Sequence, residues 1–78
     1  MKFVEPTPSQ RLSTLKAANA EERYVLNDDR KDFVPLSDAT IWRLIQNGKF
    51  PKPIKFGRRS AWRLSDLLWF CHLAGESE

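Results

Sequence analysis

Three prolines decide what this chain can fold into. Pro35, Pro51 and Pro53 each lack a backbone N–H and hold φ near about −65°, so none fits inside a helix. The residue before each is pushed toward extended backbone as well. A helix that starts at Asn27, an N-cap candidate with Asp28 and Asp29 in its first turn, must therefore stop before Pro35. A second start follows at Ser37, another N-cap candidate, with Asp38 in the first turn. That helix runs through Thr40-Ile41-Trp42-Arg43-Leu44-Ile45 and ends at Gly48, the residue type that best takes the left-handed turn after a helix. Two short helices joined by a few residues form the pattern of a helix-turn-helix.

Beyond Pro53 the pattern changes to strands. Ile54-Lys55-Phe56 and Ala61-Trp62-Arg63 each alternate apolar and charged residues, as half-buried strands do, with Gly57-Arg58-Arg59-Ser60 as the connection. Two adjacent arginines at the tip mark this hairpin as a wing. Ser65 is expected to cap a third helix with Asp66 in its first turn, with Leu67, Phe70, Cys71 and Ala74 as its core stripe and Gly75 as its end. Upstream, Pro6 and Pro8 predict an extended, mobile segment over 1–8. A helix over 9–22 capped by Ser9 would carry only a thin stripe of Leu12, Leu15 and Ala18. So thin a stripe does not hold a helix in isolation, which leaves the segment disordered or docked. Tyr24-Val25-Leu26 leads into the main domain.

Composition removes other classes. A chain of 78 residues holds one small core. No window approaches 18 apolar residues, so no membrane span is expected. The start MKFVEPTPSQ lacks the apolar core of a secretory signal. One cysteine, Cys71, forms no internal disulfide and suits a reducing cytosol. Cys71 and His72 are the only thiol and imidazole, too few for a zinc site. The three glycines, at 48, 57 and 75, form no phosphate-cradling loop. Neither catalysis, a cofactor, a metal nor a small-molecule substrate is expected.

Charge placement is more telling than the net +3. The 27 residues from Ala39 to Ser65 contain Arg43, Lys49, Lys52, Lys55, Arg58, Arg59 and Arg63 and no acid, while the remainder nets −4. Such segregation makes a local positive field that polyanions respond to. On a wheel of about 100° per residue, Ile41, Leu44 and Ile45 form the inner arc of the second helix. Ala39, Arg43 and Gln46 lie opposite, with Thr40 and Asn47 on one flank and Trp42 on the other. Arginine pairs bidentately with guanine, and glutamine or asparagine with adenine. A plainly solvated face would hold the same residues. The preceding helix and the basic hairpin favour double-stranded DNA.

The stretch FVPLSDATIWRLIQNGKFPKPIKFGRRSAWRLSDL also resembles the AlpA family of phage and prophage regulators, relatives of excisionases with a MerR-like winged helix-turn-helix. The resemblance is carried by Leu36-Ser37, by Thr40-Ile41-Trp42-Arg43-Leu44, by Gly48-Lys49-Phe50-Pro51-Lys52-Pro53, and by Trp62-Arg63-Leu64-Ser65-Asp66-Leu67, in that order. It implies a mainly α fold with a small β-hairpin. It also implies a DNA-binding role, either as an excisionase that biases an integrase toward excision or as a transcriptional regulator of integrase genes.

On this reading Arg43 contacts a base, with an ion pair as the alternative, and Gln46 and Asn47 offer amides. Ala39 permits close approach and Thr40 flanks it. Trp42 packs its ring and turns its indole N–H to a phosphate. Ser37 caps the helix and presents its N-terminus to an anion. Lys49, Lys52 and Lys55 contact phosphates, while Arg58 and Arg59 enter the minor groove or clamp the backbone.

Three departures from the family pattern stand out. The position after the capping serine is usually basic and is Asp38 here, which removes a phosphate contact. Phe70 stands where the family usually has tryptophan. Leu64, Leu68 and Trp69 replace polar or small residues and would leave an apolar patch on an isolated domain. That patch is expected to receive the 9–22 segment through Leu12 and Leu15, or a second copy. The expected organisation is an arm over 1–23, the DNA-binding domain over 24–74 and a tail over 75–78. The expected partners are attachment-site or promoter repeats and an integrase, with self-association on DNA. An adaptor that uses the apolar patch is the alternative from a different class.

Overall fold

The computed structural model describes residues 2–76. In chain order the elements are α1 (Pro8–Ala17), β1 (Tyr24–Leu26), α2 (Asn27–Arg30), α3 (Asp38–Gln46), β2 (Ile54–Phe56), β3 (Arg59–Arg63) and α4 (Leu64–Glu76). The fold is the mixed helix and hairpin architecture of a winged helix-turn-helix. Its sheet is larger than a hairpin, because Tyr24–Leu26 adds a third antiparallel strand in the order β1-β3-β2. Val25 pairs with Trp62 on one side of β3, and Ile54 pairs with Ala61 on the other.

That central position changes the burial pattern of the hairpin. Ser60, Ala61 and Trp62 are consecutively buried, so β3 does not alternate, while Ile54, Lys55 and Phe56 on the outer strand are all exposed. The connection is also tighter than four residues. Gly57 and Arg58 alone form the turn, and Arg59 already belongs to β3. Gly57 sits at φ +63°, where a two-residue hairpin loop asks for glycine at its first position.

Helix ends follow local chemistry, with several corrections. Ser37 caps α3 by accepting from the Thr40 N–H at 3.2 Å, and Gly48 follows at φ +70°, as expected. In α1 the cap is Thr7 and not Ser9. Its hydroxyl accepts from the Gln10 N–H while the Gln10 side chain accepts from the Thr7 N–H, a complete capping box with Pro8 at the first helical position. The helix stops at Ala17, and Asn19 turns left-handed at φ 52°, so it never reaches residue 22. Asn27 does not cap α2; Leu26 holds that position without a side-chain bond. The chain passes from β3 straight into α4 at Leu64, so Ser65 lies inside the helix. There the Glu22 carboxylate accepts from both the N–H and the hydroxyl of Ser65, supplying the cap from a distant segment. Gly75 does not end α4, which continues to Glu76; the rest of the tail lies outside the described residues.

The core gathers Leu15, Val25, Val34, Ile41, Phe50, Trp62, Leu64, Leu67 and Phe70 around one cluster. Phe50 stands edge-on to both Trp62 and Phe70, at centroid separations of 5.6 and 4.7 Å. Trp62 donates its indole N–H to the Pro51 carbonyl at 2.8 Å, so the buried polar atom is satisfied. Cys71, placed on the core stripe by periodicity, is exposed and donates its thiol to the Phe33 carbonyl at 3.5 Å.

The N-terminal segment docks on the domain. Phe3 donates its N–H to the Gly48 carbonyl at 2.9 Å, the Trp69 indole N–H donates to the Val4 carbonyl at 2.9 Å, and Pro6 is buried. Helix α1 lies along α4. Leu15 enters the core, whereas Leu12 stays 55% exposed. Arg11 donates to Ser65 Oγ and to Asp66, each at 2.7 Å. The apolar patch foreseen on α4 is therefore covered: Leu64 is buried, and Leu68 and Trp69 are half-buried.

Candidate nucleic-acid interface

Helix α3 forms because Ser37 caps it and because Ile41, Leu44 and Ile45 recur at helical spacing toward the core. Burying that arc forces the opposite arc outward. Ala39, Arg43, Gln46 and Asn47 are all exposed, and Thr40 is half-buried, with its hydroxyl 2.9 Å from Ser37 Oγ. Trp42 sits at the rim. Its ring lies 6.4 Å from Trp62 and remains 37% exposed, so it packs with one face and shows the other.

The hairpin meets this helix along one groove. Trp42, Lys55, Arg58 and Arg59 line a cavity of about 290 Å³ together with Leu26, Asn27, Asp28 and Ser60. The Lys55 ammonium sits 5.5 Å from the centre of the Trp42 ring and donates to Ser60 Oγ at 2.8 Å. Those contacts hold it beside the helix. Arg58 occupies the hairpin tip, and Arg59 opposes Phe56 on the strand. Lys49 and Lys52 are exposed on the loop after α3, with Lys49 anchored by its N–H to the Leu44 carbonyl at 2.8 Å.

The electrostatics follow from where the acids go. Asp38 and Asp66 bracket the acid-free interval, and each pairs with an arginine outside it: Arg30 to Asp38 and Arg11 to Asp66, both at 2.7 Å. Among the described residues these are the ion pairs, and neither involves any of the seven interval cations. The positive stripe thus stays available to an external anion. The face has hydrogen-bonding tips of the kind that read base edges, and its flanks carry charges of the kind that hold phosphates.

The sequence missed one residue that shapes this site. Arg30 is fully buried yet charged. Its Nε donates to Asn27 Oδ1 at 3.2 Å, its Nη1 to the carbonyls of Val34 and Leu36 at 2.8 and 2.7 Å, and its Nη2 to Asp38 at 2.7 Å. The only available signal was an arginine eight residues before an acid at an expected basic position. Spacing across a proline-containing turn does not translate into a contact.

A family model described as prophage CP4-57 regulatory protein (AlpA) matches residues 23–69. The match spans the sheet, α2, α3 and the start of α4, and leaves out α1 and the arm that cover α4. No curated protein and no solved structure matched the chain. With more than half of its length matched, and with a winged helix-turn-helix carrying an acid-free outer face, the chain belongs to the AlpA family of phage-type DNA-binding regulators.

Proposed function

We propose that the protein is an excisionase: it places α3 in the major groove of an attachment site and lays the β2–β3 hairpin beside it, so that an integrase excises the element. The observation that carries the reading is the exposed, acid-free face of α3, Ala39, Arg43, Gln46 and Asn47, on the helix whose Trp42 lines one groove with the arginines of the hairpin. Arg43 reads a guanine, and Gln46 or Asn47 reads an adenine. Ala39 and Thr40 let the helix approach closely. Lys49, Lys52, Lys55 and the Trp42 indole hold phosphates, Ser37 presents the helix start to one, and Arg58 and Arg59 follow the minor groove. Binding several repeats side by side bends the site and brings in the integrase.

Footprinting on DNA flanking the encoding gene tests this. Protection of repeated sites at an element boundary is the expected result. Protection confined to a promoter would overturn excision in favour of transcriptional control. Absence of any duplex binding at low salt would overturn the DNA contacts altogether and leave an adaptor role.

A further inference from the structure

The N-terminus of a recognition helix ordinarily welcomes a phosphate, because unpaired N–H groups and the helix dipole point there. In this chain Asp38 occupies the first helical position of α3, and its side chain is 52% exposed. Unpaired, it would bring a negative charge to the edge of the DNA-facing surface. Beneath it lies Arg30, whose side chain is 0% exposed and whose four acceptors span α2, the turn and the start of α3. Pro35 contributes no N–H to that turn, and the guanidinium supplies the donors by which Val34, Leu36 and Asp38 are held together.

We propose that Arg30 is a positioning residue for DNA binding: it fixes the start of the recognition helix and cancels the charge of Asp38, so that the helix approaches phosphates as a neutral end. The proposal rests on the DNA-binding reading above. Two consequences oppose each other in sign. Removing the acid alone leaves a buried positive charge under the helix start, which favours DNA and disfavours the fold. Removing the arginine alone leaves the acid uncancelled, which disfavours both.

The test measures affinity for a random-sequence duplex at low salt, with thermal unfolding in parallel, for wild type, Asp38→Asn, Asp38→Glu, Arg30→Met and the Arg30→Met/Asp38→Asn double variant. Asparagine keeps an oxygen acceptor for Arg30 while removing the charge. Asp38→Asn is expected to melt lower yet bind on the order of fivefold more tightly, the scale of one unit charge at contact distance in water. Arg30→Met binds on the order of fivefold more weakly, the double variant returns close to wild type, and Asp38→Glu leaves affinity unchanged. If Arg30→Met does not fold, the contrast between a tighter-binding Asp38→Asn and an unchanged Asp38→Glu decides the matter alone. An Asp38→Asn protein that binds no better than wild type, or worse in step with its stability, overturns the proposal. Failure of the wild-type chain to bind any duplex overturns the DNA-binding reading instead.

Discussion

The front of the molecule, α3 with the hairpin, and its back, the seam between α1 and α4, use charge in opposite ways. At the back, Glu22 and Asp66 are tied into the fold. Glu22 caps α4 through Ser65, and Asp66 takes the Arg11 guanidinium at 2.7 Å. At the front the cations form no ion pairs among the described residues, and Lys55 is held only by a hydroxyl and a ring face. The back is thus internally satisfied, and the front is left with unspent charge. A protein with so modest a net charge can still present a strong local field when its acids lie outside the basic stretch and the two that bracket it are paired with other arginines.

The two regions meet at Trp62, which touches Trp42 on one side and Phe50 on the other. Breaking this junction has the largest expected effect. Trp62→Ala should cost about 3–5 kcal/mol, enough to unfold much of a domain this small, and a denaturant titration would measure it. Next comes a separation of back from front. Leu15 is only 8% exposed, so Leu15→Ala should cost about 2 kcal/mol of stability, whereas Leu12→Ala on the exposed side should stay within about 0.5 kcal/mol. Equal losses for the two would mean that α1 does not pack as described.

On the front, stability and binding come apart. Arg43→Ala should cost about 1–3 kcal/mol on the preferred site and relax one base position, with unfolding unchanged. A uniform loss across all sequences would remove Arg43 as a reader. Lys49→Ala should weaken binding to every duplex alike and lower the salt-dependence slope by about one. The smallest effect belongs to Cys71. Although Cys71 is exposed as a residue, partial burial of its sulfur raises the thiol above its ordinary value, so less thiolate is present at neutral pH and alkylation should be slower than for a free cysteine. Because the folded state favours the neutral thiol, the associated stability is complete below the ordinary thiol range. It diminishes as pH rises through that range toward the folded value. A reaction rate equal to that of a model thiol would show the sulfur to be open.

How much was legible depends on how far apart the interacting residues lie. The start of α3, its inner arc of Ile41, Leu44 and Ile45, and its stop at Gly48 depend on neighbours within four residues, and periodicity and capping chemistry reveal them. The same locality put Ala39, Arg43 and Gln46 on the outer face. Long-range partners were out of reach. Nothing near Ser65 announces that Glu22, 43 positions away, accepts from it, and the hydroxyl that looks like a cap is instead capped. Cys71 satisfied the helical spacing but falls where α4 passes the Phe33 carbonyl, at the margin of the core. The outer strand Ile54–Phe56 alternates in sequence, yet no layer covers it, so its apolar residues stay exposed.

Sequence alone therefore determined the helix-turn-helix, the hairpin and the segregation of charge, because prolines, glycines and side-chain periods act over a few residues. The tertiary structure decided three further things. It recruited Tyr24–Leu26 as a third strand, docked α1 against α4 through Leu15 and Arg11, and paired Asp38 with a buried Arg30. Each of these depends on backbone edges, apolar faces or charges meeting across a turn or across half the chain. Only packing sets which of the available partners becomes close enough to exclude water.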